Sequence, residues 1–126
     1  MARIELGKRT GSFSQGISTT GKRTIYVAGH VGTDESGEIV SKTDVGAQTR
    51  QIFKNIAAVL AEGGATLQDV VKITTYMVDM SRYAEFSAVR ADVFEGKYPA
   101  SAAVGVATLL LPEYLIEIDA IAVVDD

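Results

Sequence analysis

Few side chains in this chain could do chemistry, because the sequence has one histidine and no cysteine. The single histidine, His30, follows Gly29 at the end of an apolar run, and an imidazole can act as a general acid or base near neutral pH. A Ser-His-Asp triad would have to use this histidine, and the Gly-x-Ser-x-Gly turn of many serine hydrolases does not occur. With these few ligand residues a catalytic zinc site is not indicated.

Two charged residues on predicted secondary structure are further candidates. Glu117 alternates with Ile116 and Ile118 in a C-terminal strand pattern. Alternation alone explains a polar residue there. Arg90 lies on a predicted helix, where an arginine is usually solvated. A guanidinium can nevertheless hold a carboxylate through two charge-assisted hydrogen bonds.

Composition and charge limit the classes of function. A chain of 126 residues with 47% hydrophobic and 22% charged residues is predicted to fold as a single domain, residues 1–126. Its net charge of -4 comes without a basic cluster, which disfavours nucleic acid as a partner. No stretch resembles a signal peptide or a membrane span, so we expect a cytoplasmic protein with no membrane partner. The sequence contains neither a P-loop nor a Gly-x-Gly-x-x-Gly fingerprint, so a nucleotide cofactor is not indicated.

Two helices are predicted from apolar residues that recur at helical spacing. The first begins near Thr43 or Asp44, either of which could be its N-cap, and ends at Gly63-Gly64. The second is expected to begin at Ser81, and Lys97-Tyr98-Pro99 interrupts it.

The remaining periodic segments predict strands and turns. Strands are expected over residues 13–18, 24–28, 70–78, 102–108 and 115–123, with a hairpin turn at 34–37. The order β-β-β-α-β-α-β-β predicts an α+β domain with two helices on one face of a mixed sheet. Because the strands over 70–78 and 115–123 are apolar, the other face also needs a cover, which favours an oligomer.

Several segments, taken together, carry a resemblance to a known family. They are Ser14-Gln15-Gly16, Val27-Ala28-Gly29-His30, residues 48–56, 69–74 and 76–80, and Pro99-Ala100 followed by residues 116–122. In their order and spacing over residues 12–124 the chain resembles the reactive intermediate deaminase superfamily, whose members are also called Rid, RidA-like or YjgF-like proteins.

The resemblance implies a fold, an assembly and an activity. The fold would be chorismate-mutase-like, assembled as a homotrimer with a ligand cleft at each subunit interface. The activity would be hydrolysis of reactive imines and enamines to 2-keto acids and ammonia, for which the family needs no metal or organic cofactor.

The chain departs from the family pattern at three positions. Ser101 follows Pro99-Ala100 where the family carries its substrate-holding arginine. Phe13 replaces a tyrosine that contributes a hydroxyl, and Ser87 replaces a frequent asparagine. Arg90, where members usually have an uncharged residue, is the first candidate to supply the missing charge. Glu117 is retained at the position of a cleft glutamate that can orient water.

These observations predict a site and keep several functions open. Its catalytic candidates are Glu117 and His30, and its substrate-binding candidates are Phe13, Gly29, Ser87, Arg90 and Ser101. The leading hypothesis is a hydrolase or deaminase that acts on an imine, enamine or related C–N bond of a non-standard substrate. The alternatives are a non-catalytic metabolite-binding or interaction protein, and a pathway enzyme whose substrate lacks the usual carboxylate. Ribonuclease activity is disfavoured by the acidic net charge.

Overall fold

The computed structural model of the protein describes residues 2–126. The strands are β1 Arg3–Leu6, β2 Gly16–Thr19, β3 Arg23–His30, β4 Val70–Met77, β5 Ala100–Gly105 and β6 Ile116–Val124. The α-helices are α1 Val45–Glu62 and α2 Tyr83–Phe94, with short 3-10 turns at Leu67–Asp69 and Met80–Arg82. This order confirms the predicted α+β class.

The main sheet has four strands in the order β3-β6-β4-β5. Strand β6 runs antiparallel to both of its neighbours, whereas β4 and β5 are parallel, so the sheet is mixed. Strands β1 and β2 form a separate antiparallel hairpin. A parallel bridge between Ser14 and Ala100 joins the segment before β2 to strand β5, the edge of the main sheet.

The hydrophobic core lies between one face of this sheet and the two helices. Ile52, Phe53, Ile56 and Leu60 are all buried because their spacing places them on one side of α1. The ring of Phe94 from α2 meets Phe53 edge-on at 5.2 Å between centroids, which joins the two helices over the sheet.

The first helix begins and ends close to the predicted positions. The side chain of Asp44 accepts a hydrogen bond from the backbone N–H of Ala47 at 2.9 Å, which satisfies one of the free donors of the first turn. Of the two predicted N-caps, the structure therefore selects Asp44. Gly63 follows the last residue of α1, as predicted.

The second helix and strand β5 begin at positions that differ from the prediction. Asp79 accepts hydrogen bonds from the N–H and the hydroxyl of Ser81, and this caps a 3-10 turn, so α2 begins two residues later at Tyr83. Strand β5 begins at Ala100 and not at residue 102, because Ala100 already pairs with Lys72 of β4.

The N-terminal part shows two further differences. Strand β1 was not predicted, and its four residues pair with β2 over the register from Arg3–Thr19 to Leu6–Gly16. The hairpin turn at residues 34–37 is present, with Gly37 at φ +81°, but a single bridge between Thr33 and Ile39 flanks it.

The face of the sheet opposite the helices exposes apolar side chains in the single chain. Tyr26 on β3 is 77% exposed and Val104 on β5 is 43% exposed. The helices over residues 2–126 include none that is long and apolar enough to cross a membrane.

Candidate functional site

The side chain of Arg90 is almost completely buried, with 2% of its surface exposed. This corrects the expectation that an arginine on this helix is solvated. Its Nε donates to the Oγ of Ser12 at 3.0 Å, and its Nη1 donates to the Oγ of Ser101 at 2.9 Å. Its Nη2 donates to the hydroxyl of Tyr83 at 2.9 Å and to the Oγ of Ser87 at 3.3 Å. The guanidinium is therefore held by hydroxyl groups.

Aromatic rings enclose the same guanidinium. Its central carbon lies 5.1 Å from the ring centroid of Phe13, 4.8 Å from that of Phe86 and 5.6 Å from that of Tyr83. These are cation–π distances. Within residues 2–126, none of the ion pairs includes Arg90, so the buried charge has no carboxylate as its counter-ion.

Helical spacing and sheet register bring these groups together. Tyr83, Ser87 and Arg90 are separated by four and three positions, so they share one face of α2. Ser101 pairs with Ile73 of β4, whose side chain is in the core, and cross-strand partners point to the same side of a sheet. Ser101 therefore points towards the helices and meets Arg90.

The segment between β1 and β2 completes this group, which we name the Arg90 pocket: Ser12, Phe13, Tyr83, Phe86, Ser87, Arg90 and Ser101. Ser14 anchors the segment, because its N–H donates to the carbonyl of Pro99 at 2.9 Å and its hydroxyl to that of Tyr98 at 2.6 Å. The hydroxyl of Ser12 also lies 3.3 Å from that of Ser87.

Four of the predicted substrate-binding residues thus lie together: Phe13, Ser87, Arg90 and Ser101. Sequence reasoning missed Tyr83 and Ser12. The spacing of Tyr83 from Arg90 on one helical face is a signal that could have identified it. Ser12 lies outside helices and strands, so no periodicity marks it.

Two of the other predicted residues, Glu117 and Gly29, lie together on the sheet face away from the helices, whereas His30 pairs with Ile118, whose side chain is in the core. The carboxylate of Glu117 packs directly over Gly29, where a side-chain methyl group would overlap its Oε2 atom. A register shift in β3 between Val27 and His30 accompanies this contact. Any side chain at position 29 would therefore force the carboxylate of Glu117 out of this position.

Neighbouring polar groups shape the electrostatics around Glu117. Tyr76 of β4 pairs with Glu117, and its hydroxyl donates to Oδ2 of Asp119 at 3.1 Å. This hydrogen bond to a carboxylate raises the pKa of Tyr76 above its usual value, and the charge of Asp119 acts in the same direction. The phenol therefore stays protonated and remains a donor on this face.

The Arg90 pocket and Glu117 lie on opposite faces of the sheet. Ser101 shares its face with buried Ile73, whereas Glu117 alternates with Ile116 and Ile118, which are fully buried in the core. The two groups of one chain therefore do not line a common cleft. His30 pairs with Ile118 and is hydrogen-bonded to neither Arg90 nor Glu117.

Other surface features offer less specific chemistry. An open groove of about 660 Å³ is lined in part by Arg3, Glu5 and Tyr98, but Arg3 already donates to four backbone carbonyls there. Across the described chain, no group of three histidine or acidic residues could hold a metal ion.

Comparisons with known proteins give consistent matches. Residues 6–124 match the family described as "Endoribonuclease L-PSP". A RutC family protein of Pyrococcus abyssi is 42% identical over 116 residues, which cover 91% of this chain and 88% of that protein. A 2-iminobutanoate/2-iminopropanoate deaminase of Mus musculus is 34% identical over 90% of this chain and 82% of its own length.

The solved structures agree with these matches. The crystal structure of YyfB from Yersinia pestis, described as a protein of unknown function of the conserved Rid family, superposes with a TM-score of 0.88 at 36% identity. The superposition covers 98% of this chain and 100% of that one.

Proposed function

The chain belongs to the endoribonuclease L-PSP family, which includes the Rid and YjgF proteins, and on that premise we propose that it hydrolyses the C–N bond of a small imine or enamine. The relatives named as 2-iminobutanoate/2-iminopropanoate deaminases support this class of reaction. The single observation that carries the proposal is the carboxylate of Glu117 packed over Gly29 at the end of β3.

The chemistry needs one base and one water. A water adds through its oxygen to the carbon of the C=N bond while Glu117 accepts one of its protons. The first proton passes from Glu117 to the nitrogen and gives a carbinolamine. The proton of its hydroxyl group then moves to the amine by the same route, the C–N bond breaks, and ammonia leaves as the C=O bond forms. An enamine enters this sequence after it takes up a proton at carbon and becomes the imine. The net reaction consumes one water and releases one ammonia and one carbonyl compound.

A homotrimer supplies the geometry that one chain lacks. Because Ser101 and Glu117 lie on opposite faces of the sheet, they line one cleft only if the Arg90 pocket of one subunit meets Glu117 of another. The exposed Tyr26 and Val104 on the face away from the helices support its burial against further copies. In this assembly the substrate lies between Phe13, Ser87 and Ser101 of the Arg90 pocket on one side and Glu117 and Gly29 on the other, and the buried Arg90 contributes its charge. His30 is the second catalytic candidate.

The activity is tested by the release of ammonia from imines generated in the assay, 2-iminopropanoate and a neutral ring imine among them. Glu117→Gln keeps the size of the side chain but removes the base, so we expect the rate to fall about a hundredfold, within the range for general acid–base catalysis. Glu62→Gln, the same change at an exposed position at the end of α1, is the matched control and keeps the full rate. A Glu117→Gln variant as active as the wild type would refute this role.

The shared cleft is tested by mixing two inactive variants. If Glu117 and Arg90 act across an interface, random trimers of Glu117→Gln and Arg90→Met chains contain intact sites at about one interface in four, from the combinatorics of a closed ring. We expect about a quarter of the wild-type activity after the two are refolded together. Activity no higher than that of the separate variants would contradict a cleft shared in this way.

Hydrolysis of RNA, which the family description names, is disfavoured by the net charge of -4. Binding of single-stranded RNA that persists at high salt, together with chain cleavage that Glu117→Gln abolishes, would support it in place of imine hydrolysis.

A further inference from the structure

We propose that an anionic group of the ligand is bound by the hydroxyl of Ser101, and that Arg90 supplies the positive charge from behind it. The inference rests on the proposed function only for the location of the ligand beside β5. It assigns Ser101 to direct contact with the ligand, and Arg90, Tyr83 and Ser12 to positioning.

The burial of Arg90 is the first step. With 2% of its surface exposed and rings of Phe13, Phe86 and Tyr83 around it, the guanidinium has almost no surface left for a ligand. Ser101 is only partly buried, and its Oγ lies 2.9 Å from Nη1 of Arg90. The serine is therefore the part of this pair that a ligand can reach.

The direction of the hydrogen bonds is the second step. A guanidinium only donates, so Ser101 must accept from Arg90, and its own hydroxyl proton is left to donate elsewhere. A hydroxyl that accepts from a cation is polarised and becomes a stronger donor in a low-dielectric site. Ser101 thus presents to the ligand a donor that carries part of the charge of Arg90.

The missing counter-ion is the third step. A buried cation without a carboxylate is unfavourable, and hydroxyls and rings offset only part of the lost hydration. Among residues 2–126, the hydrogen bonds of Arg90 all end on hydroxyl oxygens. A carboxylate of the ligand would supply the counter-charge from the far side of Ser101.

This arrangement predicts that arginine cannot be accommodated at positions 90 and 101 at the same time. An arginine at position 101 would bring a second guanidinium against the first, and none of the hydrogen bonds of Arg90 provides an acidic group to separate the two charges. An arginine at 101 therefore becomes compatible with the pocket only when Arg90 is removed.

The experiment measures binding of pyruvate and of pyruvamide, its neutral analogue, by NMR titration of the full-length protein. We expect Ser101→Ala to bind pyruvate about tenfold more weakly and Arg90→Met about a hundredfold more weakly, as for hydrogen bonds to charged groups. Pyruvamide binding changes much less in both. The matched control is Arg50→Met, which removes an arginine from the exposed surface of α1 and leaves both affinities unchanged.

The ratio of the two affinities separates positioning from mere structural support. Tyr83→Phe removes one hydroxyl that holds Nη2 but keeps the ring, so we expect a lower preference for pyruvate over pyruvamide while the protein stays folded. If Arg90→Met does not fold, Arg90→Lys and Tyr83→Phe carry the same test. An unchanged preference in the folded variants would overturn the proposal.

The exchange of positions is the most specific test. Ser101→Arg alone is expected to weaken pyruvate binding and to lower the melting temperature. In the double variant Ser101→Arg with Arg90→Ser, we expect pyruvate binding to return to within about tenfold of the wild type, because the arginine at position 101 can bind the carboxylate through two hydrogen bonds. Tighter pyruvate binding by Ser101→Arg alone would contradict the proposal.

Failure of this inference and failure of the proposed function are distinguishable. Pyruvate binding that follows these variants, in a protein that releases no ammonia from any imine, would keep the anion site and remove the hydrolase. Imine hydrolysis that is indifferent to Arg90→Met and Ser101→Ala would keep the hydrolase and remove the anion site.

Discussion

Two arginines near the β5 edge of the sheet use their donors in different ways. Arg3 of β1 donates to the backbone carbonyls of Gln68 at 3.0 Å, Val70 at 3.1 Å, Lys97 at 3.4 Å and Tyr98 at 3.2 Å. Within the described part of the chain, the hydrogen bonds of Arg90 on α2 all go to side-chain hydroxyls.

The acceptors explain the difference in role. A carbonyl oxygen accepts a hydrogen bond and has none to pass on, whereas a hydroxyl that accepts can also donate. Arg3 therefore fastens the N-terminal hairpin to the main sheet, and Arg90 can influence a group beyond its own contacts. The two arginines also differ in their charged neighbours. Burial lowers the pKa of Arg3, and the negative charges of Glu5 and Asp69 partly offset this effect. Among residues 2–126, no acidic residue is paired with Arg90.

The largest effect expected from this comparison concerns Arg90→Met. We expect imine hydrolysis to fall about a hundredfold while the free energy of unfolding changes by only about 1 kcal/mol, because removing an unpaired buried charge offsets much of the cost of leaving its hydroxyl acceptors without a donor. Steady-state rates and urea unfolding of the same preparation measure both quantities. A loss of stability of several kcal/mol with normal kinetics would make Arg90 a structural residue like Arg3.

The reverse pattern is expected for Arg3→Met. Removing a charged donor from four carbonyls is expected to lower the free energy of unfolding by about 2 kcal/mol. The rate of hydrolysis and the affinity for pyruvate should stay at the wild-type level below the unfolding transition. Arg50→Met, whose exposed ion pair contributes little, serves as the control for stability.

A smaller difference is expected between the energies of two cation–π contacts, one buried and one at the surface. Arg90 lies 5.1 Å from the ring of Phe13 in a buried pocket, and Arg9 lies 4.8 Å from the ring of Tyr98 at the surface. Double-mutant cycles with Met for arginine and Leu for the ring should give a coupling of about 1–2 kcal/mol for the buried pair and about 0.5 kcal/mol for the exposed pair. Equal couplings would show that burial does not strengthen the contact.

The smallest expected effect is a pH dependence of the protein's stability that comes from Glu5 in the β1–β2 hairpin. Two hydrogen bonds from Arg9 to the carboxylate hold the pKa of Glu5 below its usual range. The stabilisation is therefore complete above the unfolded-state pKa of about 4.3 and is lost as the pH falls through the lower folded-state value. Urea midpoints of wild type and Glu5→Gln should differ at about pH 6 and converge once the pH falls below the folded-state pKa of Glu5. A difference that persists in acid would exclude this carboxylate as its source.

Much of the fold could be read from the sequence because local periodicity reflects one-sided burial. The apolar spacing in α1 and the alternation around Glu117 identify a helix and a strand without any partner. Strand β1 and the start of α2 were missed for the opposite reason. β1 exists through its pairing with β2 and the contacts of Arg3, and α2 starts late because Asp79 caps a 3-10 turn first.

The sequence by itself therefore determined the family, the order of elements from β2 onwards and the presence of Ser101 at the position of the family's arginine. Only the tertiary structure decided what surrounds that serine. Arg90 meets Ser101 because β5 pairs with β4 in one register and α2 packs over that face. The register of β6 on β4 places Glu117 on the other face. Contacts between residues far apart in the chain set both results, and no local pattern of residues records them.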